Sequence, residues 1–525
     1  MNKKIYTVIY LLLLAAFFCF FTIFIFYSDA GELIFHIPDD ASYYAKIALN
    51  YSNGFGISFD GINQTNGFQP LWQYFVIFIA AVYKSSPENI FRLILFIQLI
   101  LISLSAFVIF KLVSRFFNAR TALGSGAVFL LFVFPLCLNG MESALSVLVL
   151  SFLFKSICNT GYLINFNLKN DILISAICGL LILTRLDMIL FVITLMIYFF
   201  INSISNNNAK TIYIKKILVL IIIVSAILLP YLINNLIVFG NIIPISGFLK
   251  TGIPDTSLSD KLIELFRYRE TYFVLSAFLF FISYVYFFRN RENITGKDFS
   301  ELIFIFSVSC ILHFIFLLFF VNWVIFYWYF IPFAVFFSLV IAFPLYYLQR
   351  LKRFGFGNII YFSFLIIILF YWGSKIINNF DRQDEYLRNN WNLESYKASL
   401  WIKDNTDKKA VFAMKDAGHF GFFGEREVIN LDGLVNDFKY QEVLRSKRLN
   451  EYLKENKVNY LVQHALWNRP DVTEGNYDSL ELTYTSHRYS VQSDPVVVYK
   501  KNEIYRSEPY FDGNNRVSFI IWKLN

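Results

Sequence analysis

Residues 5–50 read IYTVIYLLLLAAFFCFFTIFIFYSDAGELIFHIPDDASYYAKIALN. The first half, Ile5–Tyr27, is an apolar run long enough to cross about 30 Å of hydrocarbon. It follows Asn-Lys-Lys, exceeds the usual signal-peptide core and has no small-residue cleavage site before the polar stretch. It therefore reads as an uncleaved first span with its N-terminus in the cytoplasm. The second half turns polar, and two adjacent carboxylates, Asp39 and Asp40, precede a run of helix formers. Aspartate is favoured as a helix N-cap, and the helix dipole stabilises an anion there, but one acid suffices. Consecutive helical residues point about 100° apart, so the two acids cannot share one task. One can cap while the other points into a cavity. Apolar walls near a bilayer surface would tune its pKa and let it accept a proton.

Working outward, 57% of the 525 residues are hydrophobic, and apolar runs of membrane length recur. The fold class is a polytopic α-helical membrane protein. Eleven spans are expected, at about 5–27, 90–111, 121–138, 142–159, 171–184, 187–203, 215–237, 271–288, 300–320, 325–348 and 358–378. The basic clusters between them test the count. Lys111, Arg115 and Arg120; Lys155 and Lys169; Lys210, Lys215 and Lys216; Arg289, Arg291 and Lys297; and Arg350, Lys352 and Arg353 all fall on the cytoplasmic side. An odd number of spans places the tail outside. The segment Gln69–Tyr83 (QPLWQYFVIFIAAVY) is apolar but short and opened by proline, so it reads as a helix at the outer interface. The first external loop then runs over about residues 28–89, followed by a membrane module reaching residue 380.

The net charge of +8 is scattered over short loops and forms no stripe, which excludes nucleic-acid binding. The five cysteines (Cys19, Cys137, Cys158, Cys178, Cys310) lie in or beside apolar runs and suggest neither a disulfide framework nor a metal site. Residues 381–525 are polar and mix short β-rich runs (VFAMKD, EVINLDG, NYLVQH, PVVVYK) with helical stretches such as YQEVLRSKRLNEYLKEN. That pattern predicts a small external α/β domain.

Several further stretches carry candidate chemistry. GISFDGINQTNGFQPLW (56–72) interleaves amides, including Asn66 and Gln69, with aromatics, including Trp72. It suits a sugar, or equally a loop with interface anchors. Glu142, in NGMESAL, is either an intramembrane functional carboxylate or a helix cap. Arg185 and Asp187 share a tight external turn; they pair with each other, or Arg185 faces a phosphate. Lys250 is an anion partner or a solvated lysine. NWVIFYWYFIPF (322–333), with Tyr329, reads as an aromatic belt. Asp416 and His419 line a site or are ordinary turn residues.

Together these residues resemble the membrane-embedded C-type glycosyltransferases, a superfamily that includes lipid A aminoarabinose transferases, protein O-mannosyltransferases and bacterial arabinofuranosyltransferases. PDDASYYAKIA (38–48) is similar to their acidic pair after the first span, 69–83 to their outer-surface helices, and Glu142 to a second acidic site after the third span. The T-R-x-D turn has its counterpart there too. DGINQTNGFQPLW, NGMESAL, PYLINNLIVFGNIIPISGFLK and DAGHFGFFGEREVINLDGLVN resemble a bacterial subgroup, so the likeness touches residues 30–437.

The resemblance implies a sugar donor linked to polyprenyl phosphate and an inverting attack by an acceptor hydroxyl. The acceptor would be lipopolysaccharide or its O-antigen, another envelope glycan, a lipid or a protein, outside a bacterial plasma membrane. It implies Asp39, Asp40 and Glu142 as catalytic residues, with Asp39 as the base. Tyr43, Asn66, Gln69, Trp72, Arg185, Asp187, Lys250, Tyr329 and His419 would bind substrate. Some relatives carry a phosphate-binding arginine in the late aromatic segment. FYWYFIPF has none, so that duty falls on Arg185 or Lys250. No cofactor is required; for a divalent metal, Asp40, Glu142 and His419 are the candidate ligands.

Other membrane functions fit less well. A transporter or flippase should show charges deep in several spans and repeat symmetry, neither of which is visible. A polysaccharide polymerase or ligase usually presents its large external loop late in the chain.

Overall fold

The computed structural model describes residues 3–254, 256–288, 297–350, isolated positions within 361–374, and 390–524 except 465–468, 487 and 513–514. Among the described residues, eight helices are long and apolar enough to cross a membrane: Lys4–Tyr27, Pro87–Phe116, Ala119–Cys137, Ser143–Thr160, Leu186–Ser205, Asn207–Phe239, Asp298–Phe320 and Tyr327–Gln349. The chain is a multi-pass membrane protein. These eight overlap eight of the expected spans. The spans expected at 171–184 and 271–288 are helices too, but Leu168–Thr184 has 17 residues and Glu270–Tyr286 is no longer. Both fall short of the roughly 20 residues that cross a bilayer untilted. The span expected at 358–378 lies outside the described residues apart from isolated positions. Lys216, counted among the cytoplasmic charges, is not a free loop charge: it is fully buried against Asp171 at 2.7 Å.

The loop after helix α1 (Lys3–Tyr27) holds α2 (Ala30–Phe35), α3 (Asp40–Ser52) and α4 (Pro70–Val82). At 13 residues, α4 spans only about 20 Å. It buries Trp72, Val76 and Ile79 and leaves Tyr74, Phe78 and Val82 exposed. It is thus a one-sided helix that rests on α3.

The C-terminal region carries a five-stranded sheet. Strands β1 (Val411–Met414), β2 (Glu427–Asn430) and β3 (Tyr460–Gln463) are parallel, in the order β2-β1-β3. Ile520–Lys523 and then Glu503–Arg506 continue the sheet antiparallel. Three of the β-rich runs supply β1–β3. The fourth, PVVVYK, instead pairs with Ser479–Leu482 in a separate ribbon. Being parallel, β1–β3 present their carboxyl ends on one edge, the edge at which open α/β sheets bind ligands. The residues beyond those ends include Asp416, Asp432 and His464.

That edge faces α3. Helix Gly418–Phe423, between β1 and β2, packs on α3, and helix Trp391–Asn405 packs on α2. Phe412, Phe420 and Val428 join one continuous apolar core with Ala45, Phe59 and Phe91. The approach is close. A Cβ on Gly418 would stand 2.3 Å from the Asp39 carbonyl oxygen, so only glycine fits.

Candidate functional site

The two acids at the start of α3 separate as helix geometry requires. Asp39 precedes the first helical residue but makes no side-chain bond to its own helix. Its Oδ2 accepts from the Gly418 N–H at 2.7 Å and its Oδ1 from the His419 N–H at 2.5 Å. These are leading N–H groups of helix Gly418–Phe423, which have no partner within that helix. Asp39 therefore caps a helix 379 residues further along the chain. Burial pushes its carboxyl well above the usual range. Asp39, expected from the sequence as the base, thus accepts one N–H bond on each oxygen and is not among the residues that line the cavity described next.

Asp40, about 100° further round the helix, lines a cavity of about 520 Å³. The Lys250 ammonium stands 3.9 Å from its Oδ2, and the two side chains are 19% and 28% exposed. Burial raises the Asp40 pKa, Lys250 opposes that shift, and Asp416 and Asp432 add to it. Burial pushes the Lys250 ammonium down, but Tyr329, Asp40, Asp432 and Glu142 more than offset this and hold it up. The backbone around Lys250 is tied to a span end: its carbonyl accepts from the Asn322 N–H and the Gly252 N–H donates to Phe320, both at 3.0 Å.

Deeper in the cavity is a closed polar network. Arg185 donates to both Asp187 oxygens, at 3.1 and 2.7 Å, and to Glu142 Oε1 at 3.3 Å. The Tyr44 hydroxyl donates to Glu142 Oε2 at 2.8 Å and accepts from the Gln69 N–H at 3.2 Å. Gln69 Oε1 accepts from the Leu186 N–H at 3.0 Å. Four segments distant in sequence are thereby joined. The same cavity has an apolar lining that includes Ile182, Leu190, Leu228, Leu232 and Ile243.

The carboxyl edge of the sheet closes the other side of Tyr43. Its hydroxyl donates to Asp432 Oδ2 at 3.4 Å and accepts from the Ala417 N–H at 3.2 Å. Asp416, in a left-handed conformation (φ 47°), donates its N–H to Asp432 at 2.9 Å, and its carboxylate meets His464 Nε2 at 3.1 Å. Burial raises the Asp416 carboxyl, but the His464 hydrogen bond and charge outweigh it and set it below the usual range; Asp432 is pushed up by burial and by Asp416.

Of the twelve residues singled out from the sequence, eight line the cavity: Asp40, Tyr43, Gln69, Glu142, Arg185, Asp187, Lys250 and Tyr329. Four do not. Asn66 Oδ1 accepts from the Ile245 N–H at 2.9 Å and pins the amide-rich loop in place. Trp72 is fully buried and donates to the Gly140 carbonyl at 3.2 Å. His419 is fully buried, with Nδ1 2.7 Å from Ser42 Oγ and Nε2 3.1 Å from the Ile37 carbonyl. Burial pushes its pKa down to about 4. With both ring nitrogens engaged, His419, expected as a substrate or metal contact, lies in the packed seam and does not line the cavity. The three candidate metal ligands are not gathered. Among the described residues, no three His, Cys, Asp or Glu side chains are grouped as a metal ion would require.

Two residues were missed by the sequence reading. Tyr44 lies four residues after Asp40, a spacing that shares a helix face and could have marked it. Asp432 precedes Gly433 (φ 84°), and its Oδ1 accepts from the Leu434 N–H; this aspartate turn after a strand was the available signal.

The comparisons with known proteins concern the fold. Residues 382–508 match the family described as a domain of unknown function (DUF8728). No curated protein matches the sequence. Two solved structures of an Archaeoglobus fulgidus oligosaccharyltransferase are similar over 87% of this chain. One is tethered to an acceptor peptide containing the NVT sequon (TM-score 0.50, 13% identity, 71% of that chain). The other is a complex with Zn and sulfate (TM-score 0.51, 12% identity, 70% of that chain). At such identity the likeness is one of fold: this chain shares the architecture of these two oligosaccharyltransferase structures.

Proposed function

We propose that the protein is a membrane-embedded glycosyltransferase. It moves a sugar from a polyprenyl-phosphate donor to a hydroxyl of a cell-envelope acceptor (lipopolysaccharide or O-antigen, another glycan, a lipid or a protein). The reaction takes place at the outer face of a bacterial plasma membrane, below an external C-terminal domain of residues 381–525. The observation that carries the reading is one cavity lined both by the Asp40–Lys250 pair and by the aliphatic side chains Ile182, Leu190, Leu228, Leu232 and Ile243. A carboxylate, a cation and an apolar channel are what a lipid-linked phosphosugar and an incoming hydroxyl need.

Magnitudes divide the roles. A partly exposed pair at 3.9 Å, such as Asp40–Lys250, is worth at most about 1 kcal/mol. Breaking a buried pair such as Arg185–Asp187 costs about 3–5 kcal/mol. A substrate can therefore part Asp40 from Lys250 but not Arg185 from Asp187. Asp40 takes the proton of the acceptor hydroxyl, whose oxygen attacks the anomeric carbon. The bond to the phosphate oxygen breaks, its electron pair leaves with the polyprenyl phosphate, and Lys250 stabilises that charge. One displacement inverts the anomeric centre. Arg185, Asp187, Glu142, Tyr44 and Gln69 hold the cavity floor in register.

Incubating the purified protein with a polyprenyl-phosphate sugar and candidate acceptors should release polyprenyl phosphate, and Asp40→Asn should stop it. No release with any donor, together with full activity of Asp40→Asn in cells, would sink the reading.

A further inference from the structure

A second cavity, of about 710 Å³, shares no lining residue with the first. Lys46, six residues after Asp40 and so about 120° round the helix, lies on its wall. The loop around Phe55 and Gly61, the turn 84–87 before helix Pro87–Phe116, and Lys408 and Glu425–Glu427 of the sheet region complete it.

Its ionisable groups are unequally committed. Asp60 accepts from Ser58 Oγ, the Ile62 and Asn63 N–H groups and Asn63 Nδ2, so its oxygens organise their own turn. Glu425 pairs with Lys403 at 2.7 Å. The Arg426 guanidinium donates to the Ile402, Lys403 and Thr406 carbonyls and secures the end of helix Trp391–Asn405. What remains is Lys46, Lys84 and Lys408 against Glu427. Lys46 is only 8% exposed, and its ammonium makes one hydrogen bond, to the Arg426 carbonyl at 3.1 Å. Two donors are left for an occupant. Among the described residues, Lys84 and Lys408 are in no ion pair. Burying an ammonium is costly: burial pushes Lys46 down to about 8, and the charges of Glu425, Glu427 and Asp60 offset that only in part. An anion would relieve that cost.

The rest of the wall indicates what carries the anion. Phe55, 55% exposed, shares the cavity wall with Asn53, Ser52 and Ser85. An apolar face flanked by hydrogen-bonding groups matches a sugar ring. The aliphatic lining (Leu49, Ala80, Ile90) is too short a strip to hold acyl chains, which argues against a lipid. We propose that this cavity binds an anionic saccharide, a sugar bearing a carboxylate or phosphate, through Lys46, Lys84, Lys408 and the Phe55 ring. On the transferase reading it would hold a distal unit of the acceptor; the binding itself does not rest on that reading.

The test is calorimetric titration of the full-length protein in detergent with glucose 1-phosphate, glucuronate, glucose and inorganic phosphate. Glucose 1-phosphate and glucuronate should bind at least about tenfold more tightly than glucose or phosphate. The Lys84→Ala/Lys408→Ala double variant, which changes exposed residues only, should lose about tenfold in affinity for both anionic sugars, and Lys46→Met at least as much. Asp40→Asn should leave this binding unchanged even where it stops transfer. Equal affinity in the double variant, or no binding at about 10 mM ligand, overturns the proposal. So does inorganic phosphate binding as tightly as glucose 1-phosphate. Displacement of the sugar by phosphatidylglycerol micelles, with no advantage of sugar over phosphate, would assign the cavity to a lipid headgroup instead. If no donor supports transfer but the anionic sugars bind through the lysines, the transferase reading falls and this one stands.

Discussion

Asp39 and Asp40 are covalent neighbours, yet they belong to regions finished to different degrees. At the seam between α3 and helix Gly418–Phe423, the polar groups are satisfied from within: Asp39 accepts two N–H bonds and His419 uses both ring nitrogens. At the head of the cavity, Asp40 and Lys250 stand 3.9 Å apart, partly open, with bonding capacity to spare. A buried polar group with all its partners holds architecture, because removing one partner strands the rest. A group held close to others but incompletely paired can meet a ligand at little cost. The sequence pair thus divides into one carboxylate that clamps the seam and one left incompletely paired beside a lysine.

The sharpest way to break this comparison is Asp40→Asn. Removing a general base should lower the transfer rate about a thousandfold, or about 4 kcal/mol of barrier, with thermal stability unchanged. Asp39→Ala should do the reverse. It strands two N–H groups at the seam and should cost about 3 kcal/mol of stability, read as a lower melting temperature, while the folded fraction keeps its activity. Activity loss in Asp39→Ala without destabilisation would exchange the two roles.

Lys250→Met should lower the rate by about a hundredfold through loss of leaving-group stabilisation. It should also move the pH profile. Asp40 must be ionised to act, and its pKa is raised, so the acid limb of kcat/KM lies above the ordinary aspartate range. Lys250 opposes that rise, so its loss shifts the limb further up. The smallest effect belongs to Asp416→Asn. Removing a neighbouring negative charge should shift the same limb down by under about one pH unit, with little change at neutral pH.

Much of this was legible in the chain. Hydropathy alone located eight apolar helices and the one-sided α4, because each depends on a local run of side chains. The two short helices were harder, since 17 residues sit between a tilted span and a buried helix. Arg185, Asp187 and Glu142 were each visible as charges at span ends, but not as one network, because their segments meet only in space. Trp72 and Asn66 looked like sugar contacts since amides and aromatics suit sugars; they equally suit a loop packed under another segment, which is where they lie. His419 was ambiguous for the same reason: a histidine's role depends on what its nitrogens meet.

The sequence by itself determined that this is a multi-pass membrane chain, that an acidic pair opens a helix just beyond the first apolar run, and that its two carboxylates diverge. Those follow from run length and from the 100° step of the helix. Which carboxylate turns inward to the cavity was decided only by tertiary structure. Gly418 and His419 arrive from 379 and 380 residues away, and their unpaired N–H groups take the carboxylate they face. The other is left beside Lys250.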